Sequence, residues 1–158
     1  MIIFVAVYKP ISHNRRMKKQ KINIERELKS NSQSIIWELI SSASGLSRWV
    51  ADTVEQDGGR LTFTWGEVWS HHEIKSGLIK EVVKNSYIRF QWENEDDEDA
   101  YIELRMEMSD LTNDFILIIT DFTEPDDAET LKGLWEDDLD RLRQNTGYRF
   151  TEWIRNPK

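Results

Sequence analysis

The sequence predicts an α+β domain in which a curved, seven-stranded antiparallel sheet wraps around a long C-terminal helix, in the order β-α-α-β-β-β-β-β-β-α. Three observations carry that prediction. A single alternating segment and a helical pair come first. Six alternating segments then follow one another through short links, which force neighbouring antiparallel pairing. Only the last apolar-periodic segment is long enough to cover a sheet face, since 19 helical residues span roughly 28 Å at ~1.5 Å each.

Lys21–Leu28 alternates, with Ile22, Ile24 and Leu28 opposite charged or polar neighbours, and predicts a half-buried strand. In SNSQSIIWELISSASG, Ser30 or Asn31 is the expected N-cap, with Gln33 completing a capping box from Ser30. Ile35, Ile36, Leu39, Ile40 and Ala43 make a helical stripe that Gly45 is expected to end. Leu46–Val50 predicts a further helical turn, its Leu46, Trp49 and Val50 inward. Ala51–Gln56 and Arg60–Trp65 flank the hairpin signal Asp57-Gly58-Gly59. Trp69–Lys84 is extended, with Gly77 expected to mark a bulge or bend. Asn85-Ser86 turns into Tyr87–Trp92, and Glu93–Asp99 predicts a solvated loop, because so many like charges resist burial. Tyr101–Met108 alternates again. Phe115–Phe122 is apolar on both faces and therefore central or well covered. Pro125-Asp126-Asp127 opens the final helix and Gly147 closes it. Ala128, Leu131, Leu134, Trp135, Leu139 and Leu142 form its stripe.

Composition narrows the function classes. The chain has 158 residues, 39% hydrophobic and 32% charged, which suits one domain with one core. It has no cysteine, so disulfides, thiolate zinc sites and cysteine nucleophiles are excluded, and a reducing, cytoplasmic location is expected. A net charge of −8 argues against nucleic acid as the main partner. The charge is uneven, +6 over the first 29 residues and −14 over the rest. The opening MIIFVAVY is too short to span a bilayer and lacks the marks of a signal peptide. Residues 1–20 are read as an N-terminal extension, with Met17 the expected natural start and 1–16 dispensable. The domain runs from 21 to 147, and 148–158 form a tail.

IIWELISSASGLSRWV, ADTVEQDGGRLTFTWGE, YIRFQWE and GLWEDDLDRLR together resemble the START-like (helix-grip, SRPBCC) superfamily. The nearest likeness is to its bacterial branch similar to the activator of the ninety-kilodalton heat-shock protein's ATPase. The resemblance covers about Lys21 to Gly147 and consists of patterns rather than a catalytic signature. It implies an apolar cavity between sheet and terminal helix in many such domains, a protein-interaction role in the heat-shock branch, and cyclase or hydrolase activity in some members.

Seven tryptophans are many for this length. As core, they need no further explanation. As pocket lining, they would hold a flat or aliphatic molecule. The inward-facing candidates are Leu61, Phe63, Trp65, Phe90, Trp92, Leu104, Met106, Leu134 and Trp135. Gly133, inside a helix, either allows close approach to the sheet or makes room for a ligand. His71-His72-Glu73 is the one cluster with ligand chemistry, but in a strand only His71 and Glu73 share a face and no third ligand is near, so no metal is expected. There is no G-x-S-x-G elbow, no glycine-rich phosphate loop and no EF-hand spacing, so neither a catalytic residue nor a cofactor is expected. Arg89 and Arg105 are expected to pair across strands with acids on the solvent face.

The functional expectation is a non-enzymatic module that binds a small hydrophobic or lipid-like molecule. A co-chaperone-like interaction through the acidic surface is the alternative, and an enzyme is third. In the tail, Tyr148, Phe150, Trp153 and Ile154 are costly to leave in water at about 25 cal/mol per Å². They should fold back or pair with a second copy as a homodimer.

Overall fold

The computed structural model describes residues 18–66 and 72–147. Strand β1 (Gln20–Glu27) is followed by helices α1 (Gln33–Ser41) and α2 (Ala43–Leu46). Strands β2 (Thr53–Asp57), β3 (Arg60–Gly66), β4 (His72–Val83), β5 (Tyr87–Trp92), β6 (Ile102–Met108) and β7 (Phe115–Thr123) come next. A 3₁₀ turn (Pro125–Asp127), helix α3 (Ala128–Leu142) and a π turn (Arg143–Gly147) complete the described chain. The expectations about Met17, residues 1–16, Trp69, His71 and the tail aromatics lie outside the described residues.

The seven strands form one antiparallel sheet in the order β1-β7-β6-β5-β4-β3-β2. Consecutive strands pair from β2 to β7, as their short links require, and β1 returns to the free edge of β7. Alternation sets the faces. Leu61 and Phe63, Ile88 and Phe90, Ile102, Leu104 and Met106, and Leu117 and Ile119 are all buried on the concave side. Trp49, fully buried where the chain leaves α2, donates its indole N–H to the Leu39 carbonyl at 3.0 Å and lies 6.2 Å from the Trp135 ring.

Several local expectations are corrected. Helix α1 is capped at Ser32 without a side-chain bond, and the Ser30 hydroxyl accepts from the Ser32 N–H at 3.2 Å, so no capping box forms. Gly45 does not end a helix. It lies inside α2, where a Cβ would stand 2.0 Å from the Glu38 carbonyl oxygen. Gly77 is not the bulge. The register shifts between Ile79 and Glu81, whereas a Cβ at Gly77 would meet the Phe90 ring at 2.7 Å. The turn at Gly58 does need glycine, its φ being +63°.

The acidic 93–99 loop is not simply solvated. Asp97 is 6% exposed and accepts the Lys19 and Asp99 backbone N–H groups at 2.9 Å each. Lys19 also pairs with Glu95 at 2.8 Å. Each buried acid has found a donor, which alternation and net charge alone do not foretell. On the convex face, Glu103 receives Arg89 at 2.7 Å and Arg105 at 2.9 Å. Arg89 lies over Tyr101 and Arg105 over Tyr87. That is the cross-strand pairing expected for Arg89. Arg105 instead reaches Glu103 along its own strand, two residues away, and crosses to β5 only through the Tyr87 ring.

Candidate functional site

The concave face of β3, β4 and β5 carries an aromatic floor. Phe63 stacks on Phe90 at 5.5 Å and on Trp65 at 6.0 Å, and meets the edge of Trp92 at 5.3 Å. Trp65 and Trp92 are 6.4 Å apart. Gly77, opposite Trp92, is what leaves space for the Phe90 ring. Phe63 and Phe90 are sealed, while Trp65 and Trp92 are only partly buried. Trp65 is anchored by its indole N–H, which donates to the Val50 carbonyl at 2.9 Å.

Among the polar side chains on this face are Asp121 and Lys75, and neither was singled out from the sequence. Asp121 follows Leu117 and Ile119 on the inward side of β7 and is 8% exposed. Its Oδ2 accepts the Trp135 indole N–H at 2.8 Å and its Oδ1 the Phe122 backbone N–H at 2.7 Å. Burial pushes its carboxyl up to about 6, against those two donors and the charges of Lys75 and Lys19. Lys75 faces Phe63 in register and therefore shares its side of the sheet. Its Nζ lies 4.3 Å from the centre of the Trp92 ring. The signal for Asp121 was an acid interrupting the apolar run FILIITDF. For Lys75 it was a cation at the inward phase of a strand.

Of the sequence candidates, Phe63, Trp65, Phe90 and Trp92 come together with Leu61 on the same face, while Trp135 packs on Trp49 and bonds Asp121 from α3. Leu104 is buried one inward position along β6 from Ile102, next to Phe90 on the same face, whereas Met106 is buried further along. Met106 stands four residues along β6 from Ile102, the Phe90 partner, about 13 Å at ~3.3 Å per residue. Leu134 is not inward. It is 57% exposed, because α3 turns Ala128, Trp135, Leu139 and Leu142 to the sheet and leaves Leu134 about 100° away from Trp135. The opposite flank, Glu136 and Asp140, pairs with Arg26 of β1. Leu134 therefore looks away from β1, to the open side of the helix. A Cβ added at Gly133 would meet nothing within 4 Å, so this glycine is not there for close packing. Two residues from Trp135, it sits about 160° around the helix from the inward face, away from any interior ligand.

Asp138, near the inward face of α3, is bonded to Arg141 at 2.8 Å. Burial raises its carboxyl to about 7. Among the described residues no three His, Asp or Glu side chains are grouped to hold a metal, and no helix is long and apolar enough to cross a membrane.

A family model of the START-like superfamily domain matches residues 16–148. A Bacteroides fragilis protein solved in solution is 39% identical, with 82% of this chain and 93% of that chain covered and a TM-score of 0.55. The Aha1 dimer from Colwellia psychrerythraea is 16% identical, covering 81% and 98%, with a TM-score of 0.61. An AHSA1-like protein from Aeromonas hydrophila is 15% identical, covering 84% and 95%, with a TM-score of 0.67. No curated protein matches.

Proposed function

The chain belongs to the START-like superfamily, and on that premise we propose that it is a non-enzymatic module, working in a cytoplasmic setting, that holds a small hydrophobic or lipid-like molecule against its concave face. The supporting observation is Asp121. A carboxyl 8% exposed in an apolar core costs folding free energy that a leucine would not. It shares the concave face with the aromatic floor and holds Trp135, and apolar walls with a few polar groups are the usual build of a small-molecule site.

Native mass spectrometry of the purified full chain, and melting curves with a panel of fatty acids, fatty alcohols and aryl compounds, test this reading. A ligand present at a hundred times its Kd should add about 2.7 kcal/mol, roughly 8 °C in Tm. No adduct and no shift across the panel would remove it.

The alternative, an acidic surface docking a basic partner, has less support, since Glu93, Glu95, Asp99, Glu103 and Glu136 already pair with cations of the same chain. A homodimer through Tyr148, Phe150, Trp153 and Ile154 is a separate proposal. The dimer of the Colwellia psychrerythraea protein is its precedent.

A further inference from the structure

Lysine is a poor choice for the inner face of a sheet. Beside Lys75 the same face presents Phe63, Gly77 and Ile79, all packed into the core or its margin. A snorkelling role would send the ammonium out to water. Here it lies over the half-buried Trp92 ring at 4.3 Å. Cation–π attraction helps hold it there but satisfies none of its three N–H donors. The ion pairs among the described residues do not include Lys75, and Glu73, two residues back on the same face, is exposed.

Asp121 stands differently. Both its oxygens already accept hydrogen bonds, and it is almost wholly enclosed. The hydrogen-bonding capacity that an incoming molecule can reach therefore lies on Lys75, which is only half-buried, and is cationic. An incoming ammonium would have to displace Lys75 from Trp92 and reach a carboxyl that is only 8% exposed. An incoming carboxylate would meet the three ammonium donors at the border of the aromatic floor.

From this arrangement we infer that the concave site selects an amphipathic carboxylic acid, its carboxylate on Lys75 and its apolar body along Trp92, Phe63 and Trp65. The inference rests on the ligand-binding reading above and gives the ligand's head group its chemistry. Asp121, bonded to Trp135, adds a buried acid on the same concave face and keeps a second anion from entering deeper.

The test uses the full chain and three probes of equal chain length, dodecanoic acid, dodecanol and dodecylamine, with binding followed by calorimetry. The acid should bind at least tenfold tighter than the alcohol. Lys75→Met should remove that preference while leaving dodecanol within about twofold, with the melting transition retained. Asp121→Asn, which removes the buried negative charge, should hold the acid as well as the parent or better. If dodecanol binds as tightly as the acid, or if the amine binds best and Asp121→Asn abolishes it, the head-group assignment is wrong and the apolar site stands. If none of the three binds the parent chain, both readings fall together.

Discussion

Asp138 and Glu103 show how two acids of one chain are pushed in opposite directions. Asp138 is raised from 3.8 to about 7, by burial that Arg141 only partly offsets and that Asp137 reinforces. An acid with a higher pKa in the folded state holds its proton longer there. Its contribution is full below the unfolded value of 3.8 and is lost as pH rises towards 7. Asp138→Asn should therefore gain on the parent as pH rises above about 4 and keep the full gain, roughly 3 kcal/mol in urea denaturation for this half-buried carboxyl, once pH passes about 7. At Glu103, burial works upward, but Arg105 and Arg89 outweigh it and hold the carboxyl below its ordinary value. Its stabilising share is present above the unfolded value of 4.5 and lost as pH falls. Glu103→Gln should cost about 2 kcal/mol near neutral pH, since it leaves two arginines facing one neutral amide. The cost should fade on acidification, and the same denaturation series measures it.

At the scale of elements, the glycines separate packing from propensity. Gly133 occupies an exposed helical position with open space around it. Gly133→Ala should raise stability by about 1 kcal/mol through helix propensity alone. Gly77→Ala should lower it by about 2 kcal/mol, because the Phe90 ring it would meet at 2.7 Å is itself wedged against Phe63 and Trp92. Thermal melts of the two variants check both signs. The strands from β1 to β7 were legible because alternation reports directly which side of a strand meets the core. Gly45, Gly77 and the acidic 93–99 loop were not, because what each does depends on an atom distant in sequence: the Glu38 carbonyl one helix earlier, the Phe90 ring on the next strand, and the Lys19 amide 78 residues away.

Over the whole molecule, α3 closes the core. Trp135, Leu139 and Leu142 are buried against the sheet and the helical pair. Burying each is worth about 2 kcal/mol, so the three together approach the net stability of a typical domain. A chain ending at Asp127 should lose its cooperative melting transition. Light scattering of the full chain, against one ending at Gly147, tests the homodimer. A dimer that becomes a monomer on truncation supports the tail interface, and two monomers rule it out.

The order of residues by itself determined the architecture: hydrophobic period, turn chemistry and the single long terminal helix leave one economical way to cover the sheet. It also placed Leu61, Phe63, Trp65, Phe90, Trp92 and Trp135 inward. Only the tertiary structure decided which of these share a site, turned Leu134 outward, and brought Asp121 and Lys75 onto the concave face. Periodicity ranks a residue by its own side of an element. Curvature of the sheet and the seat of the helix decide what lies across from it, and that opposition sets the chemistry of the site.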